Sequence, residues 1–248
     1  MLKILINGCN GSMGQEVAKE IKLTPEVEIL CGVDRADAGD NSFPVFTDIS
    51  EIKTMPDVII DFSIPEASFK ILEFAKENQI PTVIATTGFS DEEMERIKKY
   101  SEHIPLFKSS NMSYEVNLMA KLVSDIAKKL NSSDIEIIDT HHNRKIDSPS
   151  GTALMLANSI NNALENKMVY EYDRHSKRQK RSKQEIGIHS IRGGNEVGKH
   201  TVIFFGNNES FEITHNVLSR SVFASGAIKA AQFVFHKENG FYDMNDLV

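Results

Sequence analysis

The chain has 248 residues, room for one or two domains, and its 40% hydrophobic and 25% charged residues are the mix of a globular protein rather than a disordered or fibrous one. A net charge of −7 argues against general nucleic-acid affinity, and no apolar run reaches the ~18 residues of a membrane span. Two cysteines, Cys9 and Cys31, make no disulfide framework, and Leu2–Ile6, interrupted by Lys3, is too short for a secretory leader; both features lead us to expect a cytoplasmic protein.

In chain order, Leu2–Asn7 is a short apolar run of the kind that forms a buried strand. A glycine-rich turn follows, then a helix from about Gly14 to Leu23, a strand over Val27–Val33 ending at Asp34, and a strand over Val58–Phe62. Ser63-Ile-Pro-Glu66 has the form of a capping box with Pro in the first turn, and the helix it opens places Ala67, Ile71, Phe74 and Ala75 on one face. Thr82–Ala85 and Ile104–Phe107 are further strands, with a helix capped by Ser90-x-x-Glu93 between them. This alternation predicts an α/β domain: a Rossmann-type, doubly wound parallel sheet covered on both faces.

The second half changes character. Val116, Met119, Val123, Ile126 and Leu130 predict a long amphipathic helix, Asp134–Thr140 a strand, and Gly151 to about Leu164 another helix. Residues 174–183 hold six Lys or Arg and no Asp or Glu. This run has two readings, a solvated mobile loop or a basic flap that attracts a small anion. Glu185–Arg192, Thr201–Phe205 and Phe211–Val217 are strands, the last alternating with Phe211, Ile213, His215 and Val217 on one face, and Gly206-Asn207-Asn208 is a hairpin signal. Consecutive strands predict a second, α+β domain built on an open, largely antiparallel sheet, with the change of domain near Asn111. Ser221–His236, apolar on most sides, predicts a buried helix.

Gly8, Cys9, Asn10, Gly11, Ser12 and Met13, closed by Gly14, lie directly after the first strand and open a helix. Glycines there permit a tight turn and let backbone N–H groups approach a pyrophosphate at a helix N-terminus. The spacing is G-x-x-G-x-x-G, and an ordinary structural turn is the competing reading. Asp34, twenty residues beyond Gly14, is placed to hold an adenosine ribose 2′-OH. Arg35 is either a partner for a 2′-phosphate or a surface charge. Ala85, Thr86 and Thr87, and Ser109, Ser110, Asn111 and Met112, follow strands and are candidates to line the nicotinamide.

The densest polar stretch runs from His141 and His142 through Lys145 to Ser150, Gly151 and Thr152. Ser150 is a candidate N-cap, and Gly151 and Thr152 then offer N–H groups that suit a carboxylate. Hydride addition to a double bond leaves an atom to be protonated, and a Lys or His supplies that proton. Three other readings compete. Metal ligation is disfavoured because adjacent His residues at a strand end point apart and nothing completes a ligand set. A Ser nucleophile lacks the G-x-S-x-G elbow. A purely structural, hydrogen-bonded loop is the third.

His141-His-x-x-Lys145-x-Asp-x-Pro-Ser-Gly-Thr-Ala153 resembles the H-H-x-x-K-x-D-A-P-S-G-T-A signature of the dihydrodipicolinate reductase family. Gly8-x-x-Gly11-x-Met-Gly14, Ala85-Thr-Thr-Gly-Phe89, Asn111-Met-Ser113, Ser190-Ile-Arg-Gly-Gly194 and Gly198-Lys-His-Thr-Val202 are similar to that family's other segments, in order along the chain. The resemblance implies reduction of 4-hydroxy-tetrahydrodipicolinate to tetrahydrodipicolinate in diaminopimelate and lysine biosynthesis. It implies His141 and Lys145 as catalytic groups, and His142, Ser150, Gly151 and Thr152 as contacts to a small dicarboxylate ring. Gly8 to Met13, Asp34, Arg35, Ala85 to Thr87 and Ser109 to Met112 take the cofactor roles. Residues 1–111 with 221–248 are expected to bind the dinucleotide, and 112–220 to bind substrate and build a homotetramer.

Two departures stand out: Ser148 replaces the usual Ala, and Ser12 stands where a basic residue is common. Without that cation, both NADH and NADPH are expected to work, NADH at least as well. Two alternatives compete with this reading: another nicotinamide-dependent oxidoreductase acting on an amino-acid-derived acid, and a dinucleotide sensor without turnover. The sensor has no need of His141 and Lys145. No metal, nucleic-acid or membrane partner is expected.

Overall fold

Alternating apolar runs and amphipathic helices build the first of two units, Met1–Tyr114 together with Arg220–Val248, in a computed structural model that describes residues 1–37 and 39–248. Its strands are β1 (Leu2–Asn7), β2 (Val27–Val33), β3 (Val45–Phe46), β4 (Val58–Asp61), β5 (Thr82–Ile84), β6 (Pro105–Lys108) and β12 (Gly240–Tyr242). They form one sheet in the order β12-β6-β5-β4-β1-β2-β3, with every ladder parallel. Chain order reverses between β1 and β4, which opens a crevice at their carboxyl ends. The helices are α1 (Ser12–Ile21), α2 (Pro65–Asn78), α3 (Asp91–Tyr100), α6 (Ser221–Val234) and the single turn α7 (Met244–Leu247).

Each sheet face has its own core. Val17, Ala18 and Ile21 of α1 and Ala224, Ala227, Ala231 and Val234 of α6 pack with Ile4, Ile6, Val58 and Ile60. Ile71, Leu72 and Ala75 of α2 and Ile97 of α3 pack with Leu5, Ile59, Ile84 and Leu106. Side chains alternate across a strand, so neighbouring residues feed opposite cores and both faces must be apolar.

Ser90 caps α3 as expected, in a capping box with Glu93. Ser63 does not cap α2. The N-cap of that helix is Ile64, which gives no side-chain cap, and the Ser63 hydroxyl donates instead to Asp61 Oδ1 at 2.5 Å. A buried carboxylate outcompetes an exposed helix end for the hydroxyl.

The second unit, Glu115–Ser219, carries most of α4 (Tyr114–Lys129), then β7 (Asp134–His141), α5 (Gly151–Ala163), β8 (Val169–Glu171), β9 (Glu185–Arg192), β10 (Gly198–Phe205) and β11 (Ser210–Val217). The sheet order is β11-β10-β7-β9-β8. It is mixed rather than largely antiparallel: β10 runs antiparallel to β11 and β7, whereas β9 runs parallel to β7 and β8. The cause is α5, a crossover helix that returns the chain to the same end of the sheet, so β8 and β9 run parallel to β7. Ala153, Leu156, Ala157 and Ile160 of α5 and Met119, Val123 and Ala127 of α4 cover one face, against Ile135, Ile137, Ile186, Ile188, Val202 and Phe204.

The basic run is tied to this sheet. Arg174 pairs with Glu185 at 2.5 Å, Lys177 with Glu171, Arg181 with Glu136 at 3.0 Å and Asp134 at 3.1 Å, and Lys183 with Asp134 at 3.1 Å. Strand acids thus neutralise four of its six cations, which removes most of the field that a basic flap needs.

Candidate active site

In the first unit the chain leaves β1 through Gly8, whose φ of +79° is open to glycine; a Cβ there would lie 2.6 Å from the Phe62 carbonyl oxygen. A Cβ on Gly14 would lie 2.2 Å from the Gly8 carbonyl oxygen, so the start of α1 sits directly on the turn. Several loop donors are already used within the loop. Gly8 N–H donates to the Val33 carbonyl at 2.8 Å, Asn10 N–H to Asp34 Oδ2 at 2.8 Å, and Gly11 N–H to the Gly8 carbonyl at 3.1 Å. The outward donors are those of the first turn of α1, at Ser12 and Met13, which have no intrahelical partner. Together with the glycine cradle, this suits a pyrophosphate.

Two clefts flank that helix end. One, of about 680 Å³, is lined by Gly8, Asn10, Gly11, Asp34 and Arg35, with Asp48 opposite. The other, of about 480 Å³, is lined by Ser12, Met13, Ala85, Thr86 and Thr87, and by Ser110, Asn111 and Met112. Of the expected cofactor residues, Cys9 and Ser109 line neither cleft. Cys9 is buried, and burial pushes its thiol up to about 12 and that of Cys31 up to about 11, so both stay protonated. The Ser109 hydroxyl donates to the Asn111 carbonyl at 2.8 Å and shapes its own loop. Beneath the second cleft lie Asp61 and Lys108, both buried and neither anticipated from sequence.

In the second unit, period-two alternation decides the site. Ile135 and Ile137 face the core, so Asp139 and His141 follow them onto the same buried face of β7. On β9 the sequence Ile186, Ile188, Ser190, Arg192 shares one face in the same way, and on β10 His200 shares one with Val202 and Phe204. The register places His200 and Ser190 on either side of Asp139, and Arg192 beside His141. Polar residues at the ends of three apolar stripes therefore converge near the start of α5.

Asp139, fully buried, is the centre of this group. It accepts from His141 Nδ1 at 3.0 Å, Arg192 Nη1 at 2.5 Å, Ser190 Oγ at 2.9 Å and Ser150 N–H at 2.9 Å. Burial pushes its carboxyl up, but the hydrogen bonds from Arg192, Ser150 and Ser190 outweigh burial and hold it below the ordinary carboxylate range. An ionised Asp139 fixes the hydrogen of His141 on Nδ1, leaving the lone pair on Nε2. Burial lowers His141 below an ordinary imidazole, outweighing Asp139, so His141 is neutral at pH 7. Gly198 lies beside it: a Cβ there would be 3.1 Å from Nε2.

Ser150 caps α5, accepting from Ala153 N–H at 3.1 Å, and its hydroxyl meets His200 Nε2 at 3.0 Å. Burial drives His200 down to about 4, and its ring stands edge-on to that of His141 with centroids 5.1 Å apart. Gly151 faces open space. His142 is held by its N–H to the Glu196 carbonyl at 2.8 Å, and its buried Nδ1 has no partner among the described residues. Lys145 Nζ lies 2.8 Å from Asp147. Among the described residues no group of three His, Cys, Asp or Glu could hold a metal ion.

Family models for dihydrodipicolinate reductase match residues 2–112 (the N-terminal part) and 115–248 (the C-terminal part). The chain belongs to the dihydrodipicolinate reductase family. It is 48% identical over 248 residues to the 4-hydroxy-tetrahydrodipicolinate reductase of Caldanaerobacter subterraneus subsp. tengcongensis, covering 100% of this chain and 98% of that one. It is 46% identical over 246 residues to that of Clostridium tetani, covering 99% and 96%. Among solved structures, a dipicolinate-bound dihydrodipicolinate reductase from Paenisporosarcina sp. TG-14 superposes with a TM-score of 0.83 at 25% identity over 100% of both chains. A myo-inositol dehydrogenase from Corynebacterium glutamicum shares the fold alone, with a TM-score of 0.60 at 15% identity, over 97% of this chain and 90% of that one. The reaction of the family is a nicotinamide-dependent reduction of 4-hydroxy-tetrahydrodipicolinate, and this chain is an oxidoreductase of that kind.

Proposed function

We propose that the two units divide this reduction between them, the first holding NAD(P)H and the second holding the ring substrate and moving its protons. The observation that carries the reading is the Asp139–His141 pair set beside the N-terminus of α5 and Lys145 in one small region. When bound, the nicotinamide supplies a hydride. Asp34 and Arg35 take the adenosine ribose, Ser12 and Met13 the pyrophosphate, and Ala85 to Thr87 with Ser110 to Met112 the nicotinamide side.

Loss of the substrate's 4-hydroxyl as water needs a base at the neighbouring carbon and an acid at the hydroxyl. Neutral His141 takes the carbon-bound proton at Nε2, and the Lys145 ammonium gives one to the departing hydroxyl. After hydride addition His141 returns its proton to that carbon. The balance is one hydride and one proton in, one water out.

One substrate carboxylate sits on the first turn of α5, at Gly151 and Thr152, and the other faces His142 and Lys145; charge-assisted hydrogen bonds of this kind contribute roughly 1.5–3 kcal/mol each. The dipicolinate bound by the Paenisporosarcina relative has two such carboxylates and supports this reading. Pyridine-2,6-dicarboxylate is expected to compete with substrate, and pyridine-2-carboxylate to bind at least ~10-fold more weakly. Thr152→Pro, at a helix position where Pro is tolerated, should weaken the dicarboxylate specifically. Equal inhibition constants for the two compounds would overturn the two-anchor site.

For the cofactor, Asp34 favours a free 2′-OH, Arg35 accommodates a 2′-phosphate, and Ser12 adds no cation, so NADH serves at least as well as NADPH. Asp34→Ala should harm NADH more than NADPH, because it removes both a hydroxyl acceptor and a charge that repels phosphate. Steady-state kinetics favouring NADPH by more than about tenfold in the unaltered protein contradicts this preference.

The half-exposed Phe211 on the edge strand β11 supports a homotetramer assembled through the second unit. No described helix is long and apolar enough to cross a membrane. A cytoplasmic location fits the two cysteines, which form no disulfide.

A further inference from the structure

We propose that Asp61 and Lys108, which line neither cleft, are positioning residues that lock the loops of the nicotinamide side to one another and so set where the reactive ring lies. The proposal rests on the assignment of the second cleft to the nicotinamide.

Asp61 ends β4 beside the reversal of strand order, and it is fully buried. Its carboxylate gathers donors from separate segments: Asn7 Nδ2 at 2.7 Å from the end of β1, Ser63 Oγ at 2.5 Å, Ser68 Oγ from the first turns of α2, and Thr86 Oγ1 at 2.9 Å. Its carbonyl accepts from Ala85 N–H at 2.9 Å and Thr86 N–H at 3.1 Å. The same residue thus grips the loop after β5 by main chain and by side chain. Ser63 N–H donates to Thr86 Oγ1 at 2.9 Å, which closes a ring of contacts between two walls of the cleft.

Lys108 extends the lock to the next loop. It is 8% exposed, and its Nζ donates to the Thr86 carbonyl at 3.1 Å and the Ser109 carbonyl at 3.3 Å. The loops after β5 and β6 are thereby joined by one ammonium. Burial pushes Asp61 up, an effect its four hydrogen-bond donors offset only in part, and it pushes Lys108 down, which the nearby Asp61 charge offsets in part.

Desolvating both groups is unfavourable, and an apolar filling would hold the sheet together at least as well. A polar hub does what an apolar one cannot: directed bonds fix the rotation of each hydroxyl and the place of each carbonyl. Hydride transfer has that requirement, since a misplacement of about 1 Å costs roughly 10²-fold in rate.

The test compares calorimetric affinities for NADH, which fills both clefts, and AMP, which carries only the adenosine end, across Asp61→Asn, Lys108→Met and Ser68→Ala. Asp61→Asn and Lys108→Met are expected to weaken NADH at least tenfold while AMP changes less than twofold. Ser68→Ala, which removes one donor outside the clefts, should weaken NADH about threefold. If Asp61→Asn does not fold, the other two variants decide. Equal losses of NADH and AMP, or a lowered Tm with both affinities unchanged, would mean a structural role and overturn the proposal. Amide exchange of the unaltered protein tests the underlying assignment separately. If NADH leaves residues 85–87 and 110–112 unprotected, the nicotinamide assignment falls; if it protects them and the variants bind NADH normally, only the proposal falls.

Discussion

Replacing His141 by Gln, or Lys145 by Ala, is expected to lower kcat by roughly 10²–10⁴ while leaving the fold intact. His141 is buried at the end of an apolar stripe, with Nδ1 committed to Asp139 and Nε2 facing the space left by Gly198. Gln reaches a similar volume but accepts no proton. Lys145, paired with Asp147 in this structure, brings the only ammonium of the motif. The double variant should fall far short of the product of the two losses, because one group prepares what the other completes. The pH dependence has a definite sign. His141 acts as a base in its neutral form and its pKa is lowered, so kcat/KM should hold through the ordinary imidazole range and fall only at lower pH. A single variant with near-native kcat, or activity that rises on acidification, would remove that residue or that role from the mechanism.

Asp139→Asn is expected to cost about 3–5 kcal/mol of stability, the usual consequence of removing one partner of a buried ion pair. The carboxylate takes four donors, and an amide in its place offers one oxygen and turns an N–H₂ toward the rest. Arg192 suffers most, because its buried Nε already has no partner among the described residues. Activity should fall as well, since His141 loses the group that fixes its tautomer. Urea unfolding at a shared m-value measures the first effect and kcat the second. A stability loss under 1 kcal/mol would show that Asp139 is not the centre of the site.

The parallel unit is legible in the sequence because its strands are mostly apolar runs, as in Leu2–Asn7 and Val27–Val33, and its helices have amphipathic periods. β3 escapes because two residues carry no period. Ser63 misleads because a capping-box pattern does not reveal a buried acid that competes for its hydroxyl. In the second unit, the helix between β7 and β9 is plain from its pattern, but the strand direction it imposes is not. The motif from His141 to Thr152 is legible because its residues are dense and contiguous. Asp139, Ser190, Arg192 and His200 are not, because only the register of the sheet brings them together. The available signal is period two: Asp139 and His141 continue the face of Ile135 and Ile137.

The placement of α6 has a consequence for folding. The second unit is one unbroken segment, Glu115–Ser219, whereas the first is completed only by Arg220–Val248. Ala224, Ala227, Ala231 and Val234 fill the core over β1 and β4, and β12 closes the edge beyond β6. Residues 1–114 keep an apolar face uncovered until Arg220–Val248 joins them, whereas the second unit needs nothing made after it. A free chain ending at residue 219 and briefly exposed to protease should therefore lose the first unit and keep the second; the reverse pattern would mean that the parallel sheet holds without its last helix. The second unit can thus fold without the first, although the first opens the sequence.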